Sequence, residues 1–150
     1  MEAFSEIFEA LIQDHGSRPR HYGSLPGARS QAEGINPQSG DRFTVFFETG
    51  SGDLVTEASF IGRGSALALA SASIMASALR GMSPAAALEL VRRTLRRMEG
   101  EEETPSELPE SELNHLLEVR HFPHRIPCAA LPWKTALKAL ERLEPENRVP

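Results

Sequence analysis

Two strand-like runs joined by a short glycine-rich connection constrain the fold of this chain most. Residues Asp41 to Glu48 and Leu54 to Ile61 are rich in phenylalanine and β-branched side chains, which favour strands. Between them lies Thr-Gly-Ser-Gly-Asp at 49–53, a connection typical of a hairpin. The two runs are therefore predicted to pair as antiparallel strands, and an earlier strand is expected after the loop at 17–27.

Helical patterns lie on both sides of this hairpin. Before it, an apolar stripe predicts an amphipathic helix that should stop near Gly16. After it, residues 65–79 are small or apolar almost all round, which is typical of a helix buried against a sheet. The stripe residues of the first helix are Phe4, Ile7, Phe8, Leu11 and Ile12.

Three further helices are predicted in the second half of the chain. Ser83 and Pro84 form an N-cap and first-turn pair for a helix ending near Gly100. A short helix is expected around 113–117. The last helix is predicted from about Cys128 to Leu143, with Pro132 near its first turn, where a missing N–H does least harm.

Strands come before most helices, so a segregated α+β class fits better than alternating βαβ units. With 150 residues, of which 40% are hydrophobic and 25% charged, the chain should form one domain spanning 1–150. The acidic run Glu99 to Glu103, followed by Pro105 and Pro109, is interpreted as an exposed connection within that domain.

Charge and cysteine content exclude several function classes. A net charge of −5 argues against binding a nucleic-acid backbone. A single cysteine cannot form an internal disulfide, and no segment has the length of a membrane span, so a reducing cytoplasm is expected. The one basic cluster is interpreted as a solvated helix face rather than a binding patch: Arg92, Arg93, Arg96 and Arg97.

Three motifs carry a resemblance to a known family. They are Asn-Pro-Gln-Ser-Gly-Asp at 36–41, Phe-Ile-Gly-Arg-Gly-Ser at 60–65 and Phe-Pro-His-Arg-Ile-Pro-Cys at 122–128. Together with Ile-Gln-Asp-His at 12–15 and Arg-Pro-Arg at 18–20, their order and spacing resemble the IscU/SufU/NifU family of iron-sulfur cluster scaffolds. The long stretch between the second and third motifs is similar to the SufU branch.

The resemblance implies a fold, a site and a partner. It implies an IscU-like (SufE/NifU-like) fold, with about three antiparallel strands packed against helices and three loops converging on a metal or cluster site. It also implies zinc or an iron-sulfur cluster as the bound group, and docking on a cysteine desulfurase of the SufS or IscS type. No nucleic acid or membrane is expected as a partner.

The chain departs from this family where the chemistry is concentrated. Serine stands in place of two of the three motif cysteines, so the mapped site is Ser39, Asp41, Ser65 and Cys128. Only Asp41 and Cys128 are good metal ligands, whereas a structural zinc site uses four and a catalytic one three. No cofactor at full occupancy is therefore expected. His124 is the preferred substitute ligand, ahead of His121, His15 and His21.

The serines have two possible origins, laboratory substitution and natural divergence. Divergence is preferred, because the residues after Ser65 also drift from the family pattern. Pro127 stands where the IscU branch has a histidine.

Two residues of this site, Cys128 and Asp41, each have two possible roles. Cys128 at a helix start near Arg125 could be a reactive thiolate, because a helix N-terminus and a cation lower a thiol pKa; the alternative is an inert space-filling cysteine. Asp41 could be a ligand or an Asx-turn residue. Trp133 is predicted to anchor the core.

Several functions agree with this pattern. The first is an iron-sulfur cluster assembly protein that is a degenerate scaffold or a sulfur acceptor through Cys128, and that docks on a desulfurase. The alternatives are a pseudo-scaffold that binds partners without chemistry, and a small-molecule module that reuses the fold. The protein is expected not to be an enzyme in the usual sense.

Overall fold

A computed structural model describes residues 5–101 and 111–143. Its sheet has three antiparallel strands in the order β1-β2-β3, namely β1 (Ser30–Ile35), β2 (Arg42–Thr49) and β3 (Val55–Arg63). The predicted hairpin is β2 and β3, and its connection contains one 3-10 turn, Ser51–Asp53. The α+β class and the three-stranded antiparallel sheet are confirmed.

The described part of the chain also contains five α-helices. Two further 3-10 turns, Leu117–His121 and Pro123–Arg125, precede the last of them. The predicted stripe residue Phe4, and most of the acidic connection with Pro105 and Pro109, lie outside the described residues. The helices are α1 (Glu6–Ser17), α2 (Ala66–Leu79), α3 (Pro84–Met98), α4 (Glu112–Leu116) and α5 (Ile126–Glu141).

One face of the sheet packs on the helices and forms the core. Alternate residues Phe43, Val45 and Phe47 of β2 are fully buried, as the two-residue period of a strand requires. Helix α2 is buried over most of its length, in agreement with its small-residue pattern. Trp133 is also fully buried, and its Nε1–H donates to Ser71 Oγ across 2.9 Å. Its predicted role as a core anchor is confirmed.

The predicted start of the last helix was wrong by two residues. Helix α5 begins at Ile126, with Pro127 in its first turn. The N–H that proline lacks would have no partner within the helix at this position. Pro132 therefore lies inside the helix rather than near its start. Both prolines are compatible with a first turn, and the sequence alone gave no reason to choose the earlier one. Cys128 consequently lies within the first turn of α5.

The basic cluster on α3 lies toward solvent. Arg92 and Arg96 are exposed while Arg93 and Arg97 are half-buried, and Arg92 pairs with Glu141 at 3.4 Å. This agrees with the interpretation of a solvated helix face. Over the described ranges, none of the helices combines the length and apolar character that crossing a bilayer would require.

Candidate functional site

Three separate chain segments meet at one end of the sheet. The β1–β2 loop provides Ser39 and Asp41, the start of α2 provides Ser65, and the first turn of α5 provides Cys128. The side chains of the other three residues lie close enough to the Cys128 thiol to influence its pKa. The structure therefore brings together all four residues of the predicted site.

Both serines at this site satisfy backbone groups. Ser65 is the N-cap of α2, and its Oγ accepts a hydrogen bond from the Ala68 N–H at 3.1 Å. Ser39 Oγ accepts from the Asp41 N–H at 3.2 Å, a local turn contact of the kind serine commonly makes. Serine is among the preferred N-cap residues, so the hydroxyl at 65 stabilises the helix start that carries it.

Asp41 connects the first two loops. Its Oδ1 accepts from the Ser65 N–H at 3.2 Å, so its side chain does not form an Asx turn with its own loop. The Asx turn of this loop belongs to Asn36, whose Oδ1 accepts from the Gln38 N–H at 3.1 Å. A Cβ at Gly64 would lie 2.8 Å from Asp41 Oδ1, so this close approach requires glycine.

The second carboxyl oxygen of Asp41 faces a different environment. Asp41 is 4% exposed, and its Oδ2 is buried without a partner at hydrogen-bonding distance within the described residues. The Cys128 thiol is nevertheless close enough to interact with this carboxyl group. The carboxylate and the thiol are therefore neighbours in a partly desolvated pocket.

This pocket raises the pKa of Cys128 above the usual value for a thiol. Burial is the main cause, and the negative charge of the neighbouring Asp41 carboxyl adds to it. The Ser65 and Ser39 hydroxyls act in the opposite direction, because they can donate to a thiolate. The pKa of Cys128 is therefore shifted in the direction opposite to the one expected from the helix start and Arg125, neither of which is among the causes of the shift.

The donor atoms at this site do not fit zinc or an iron-sulfur cluster. Zinc and iron-sulfur sites are built mainly from thiolates and imidazoles, whereas this site has one sulfur, one carboxylate and two neutral hydroxyls. Within residues 5–101 and 111–143, no three His, Cys, Asp or Glu side chains form a group that could hold a metal ion. His124 is exposed in the turn before α5 and does not complete such a group.

Comparison with known proteins identifies the family. The profile of the NifU-like N terminal domain matches residues 7–115. The chain belongs to this family. It is 33% identical to the iron-sulfur cluster assembly scaffold protein IscU of Streptococcus pyogenes serotype M1, over 95% of this chain and 87% of that protein. It is also 33% identical to the zinc-dependent sulfurtransferase SufU of Bacillus subtilis (strain 168), over 94% of each.

Solved structures agree with this assignment to the NifU-like family. A putative scaffold protein for the SUF system from Fervidobacterium islandicum AW-1 superposes with a TM-score of 0.79 at 30% identity, over 89% of this chain and 96% of that one. The N-terminal part of a NifU-like protein from Brucella abortus gives a TM-score of 0.78 at 19% identity, over 95% and 96%. The second comparison supports the fold alone.

The other histidines considered as ligands lie in different settings. His15 is buried at the end of α1, where its Nδ1 lies 2.7 Å from Ser73 Oγ and its Nε2 lies 2.8 Å from Glu112. These contacts link α1 to α2 and α4. His21 has a positive φ of 62°, and burial lowers its pKa, with the neighbouring Arg80 contributing. His121 is exposed.

Tyr22 supports the site and was missed by the sequence analysis. Its hydroxyl donates to the Gly62 carbonyl at 2.9 Å and accepts from the Gly62 N–H at 3.2 Å, while its ring packs edge-on against Phe60. The Tyr22 hydroxyl thereby bonds both backbone groups of Gly62, in the strand that leads to Ser65. It is the single tyrosine of the chain, but no sequence pattern predicts this contact.

Proposed function

We propose that this protein is an iron-sulfur cluster assembly protein of the SufU/IscU type. In this proposal it docks on a cysteine desulfurase in the cytoplasm and holds neither a resident zinc ion nor a cluster. The family membership supports a role in iron-sulfur cluster assembly. So do the two 33% identical relatives, one named as a scaffold and one as a zinc-dependent sulfurtransferase. The donor set of this chain is the reason to assign it a degenerate scaffold role.

One observation carries the proposal: the three site loops converge, but they bring together only one sulfur atom. Ser65 Oγ and Ser39 Oγ each accept from a backbone N–H, and a protonated hydroxyl is a poor ligand for a borderline-soft metal. Asp41 connects the loops through the Ser65 N–H. The first two loops are therefore joined by a direct hydrogen bond, where a metal site would join them through an ion.

A sulfur-acceptor role for Cys128 is the second candidate, and its half-buried position at the junction of the loops favours it. In this step the Cys128 thiolate attacks the outer sulfur of a desulfurase persulfide. The sulfur–sulfur bond of the donor breaks, a new one forms on Cys128, and the donor thiolate leaves and takes up a proton. The raised pKa of Cys128 opposes this step, so the degenerate scaffold is the better supported function.

Metal analysis of wild type beside the double variant Ser39→Cys/Ser65→Cys tests the degenerate scaffold. The double variant would offer three thiols and Asp41, a complete tetrahedral donor set. We expect about one zinc per chain in the double variant and no stoichiometric zinc or cluster in wild type. Stoichiometric metal in wild type would refute the proposal. The double variant also controls for the purification, because it must retain metal under the same conditions.

Desulfurase docking and sulfur transfer are tested by a second experiment. Wild type and Cys128→Ser are mixed with the desulfurase of the same organism and cysteine, and both binding and mass are followed. Binding of both proteins without added mass supports a degenerate scaffold. Added mass of one sulfur atom on wild type alone favours the acceptor role, and absence of binding rejects the desulfurase as partner.

A further inference from the structure

A row of three residues crosses the sheet at the end that leads into the site. Ile35 of β1 lies opposite Arg42 of β2, and Arg42 lies opposite Arg63 of β3. Opposite residues share one face of a sheet, and Phe43 and Val45 on the other face are fully buried. The three residues, here called the Ile35–Arg42–Arg63 row, therefore lie on the solvent face.

This row borders the site on two sides. Arg42 directly follows Asp41, and Arg63 is separated from Ser65 by Gly64 alone. Ile35 directly precedes Asn36, which begins the first site loop. A partner that reaches the converging loops from this side would therefore contact the row as well.

The row is unfavourable for the isolated protein. Arg42 and Arg63 are both exposed, and over the described ranges neither forms an ion pair or a side-chain hydrogen bond. Like charges directly opposite each other on a sheet are destabilising, typically by a few tenths to about 1 kcal/mol. Ile35 is 51% exposed, one of few large apolar side chains at the surface of the described residues.

We propose that the Ile35–Arg42–Arg63 row is a docking surface for an acidic patch of a partner protein, with Ile35 packing against an apolar side chain beside that patch. The inference rests on the proposed function, so the partner to test is the cysteine desulfurase. Charge complementarity carries it: the chain has a net charge of −5, yet two arginines that pair with none of the described residues face solvent beside the site. A partner carboxylate would remove their mutual repulsion. Two arginines in an acidic chain are too few for nucleic acid.

The test compares Arg42→Gln/Arg63→Gln with wild type for desulfurase binding at low and high salt. Arg29→Gln is the matched control, because Arg29 is exposed and lies beside Phe47 at the opposite end of the sheet. We expect the double variant to bind about tenfold more weakly at low salt and to lose most of the salt dependence. The control should bind like wild type. Ile35→Ser should weaken binding at both salt concentrations.

Thermal stability of the free variants provides an independent readout. Removing the facing arginines should leave the melting temperature equal or higher, so weaker binding cannot be attributed to unfolding. If wild type binds the desulfurase and the double variant binds equally well, the docking surface is rejected while the proposed function stands. If wild type does not bind, the proposed function and this surface both fail.

Discussion

The Ser65 backbone N–H donates to Asp41 Oδ1 across 3.2 Å, and this bond joins the loop after β1 to the start of α2. Gly64 permits it, because a side chain there would collide with the same carboxyl group. The other oxygen of Asp41 is buried without a hydrogen-bond partner among the described residues. One carboxylate therefore joins two of the three site segments and also raises the pKa of the single cysteine of the chain.

Replacing Asp41 with asparagine should make Cys128 more reactive. The Asp41 carboxyl raises the pKa of Cys128, and asparagine removes the negative charge while still offering an oxygen to the Ser65 N–H. The pKa of the thiol should fall, so the thiolate fraction at neutral pH should rise. We expect alkylation of Cys128 to be several-fold faster in Asp41→Asn than in wild type.

The pH dependence of alkylation checks the sign of this effect. In wild type the rate should still be rising with pH above the range in which an ordinary thiol has levelled off, because the pKa is raised. In Asp41→Asn the same curve should move to lower pH. Asp14→Asn serves as the control, since Asp14 pairs with Arg18 and Arg20 and should leave the curve unchanged. An unmoved curve in Asp41→Asn would contradict the prediction.

Ser65→Ala should lower stability and also slow the reaction of Cys128. Loss of the N-cap hydrogen bond to Ala68 should cost about 1 kcal/mol in the free energy of unfolding. The Ser65 hydroxyl lowers the pKa of Cys128, so its removal should raise that pKa further. Ser83→Ala is the matched control, because Ser83 caps α3 through the Ala86 N–H at 3.1 Å.

Urea unfolding and alkylation separate the two effects. Both variants should lose a similar free energy of unfolding, but only Ser65→Ala should alkylate more slowly than wild type. Equal alkylation rates in the two variants would show that the Ser65 hydroxyl does not contact the thiol in solution.

The fold should not depend on a metal ion. The buried hydrophobic core extends over all three strands and the helices packed on them, and a direct hydrogen bond between Asp41 and the Ser65 N–H joins the first two site loops. Small domains organised by zinc unfold when the ion is removed. We therefore expect the melting temperature of wild type to be unchanged by a chelator, whereas zinc-loaded Ser39→Cys/Ser65→Cys should lose stability. A large fall in wild type would contradict this.

The sequence predicted the architecture because its signals are local. Strand-forming runs, the all-apolar pattern of α2 and the Ser83–Pro84 start of α3 each depend on neighbouring residues. The members of the site came instead from the resemblance to the family, which rests on three short motifs. The start of α5 was wrong because Pro127 and Pro132 both suit a first turn.

The properties that the sequence did not predict depend on distant contacts. The pKa of Cys128 is raised by burial and by Asp41, and Asp41 lies far from Cys128 in the sequence. Reasoning from the local helix start therefore gave the opposite direction. The burial of His15 depends on Ser73 and Glu112. These contacts exist only once the helices are packed, and no spacing in the sequence predicts them.

Tyr22→Phe should loosen the loop that carries Ser65 while leaving the fold intact. Phenylalanine keeps the ring contact with Phe60 but removes the hydroxyl that bonds both the N–H and the C=O of Gly62. Gly62 cannot be replaced to the same end, because its φ is +145° and a Cβ would collide with the Arg42 carbonyl oxygen. Since Tyr22 is half exposed, the cost in unfolding free energy should be about 0.5–1.5 kcal/mol.

Amide hydrogen exchange distinguishes a local effect from a change at the site. In Tyr22→Phe the Gly62 amide loses its acceptor and should exchange faster than in wild type. If Tyr22 also positions the site loop, the Ser65 amide, which donates to Asp41, should exchange faster as well, while amides of α3 should not change. Faster exchange at Gly62 alone would mean that Tyr22 stabilises only the edge strand of the sheet and does not position the site loop. Unchanged exchange at both positions would mean that the hydroxyl contact is not maintained in solution.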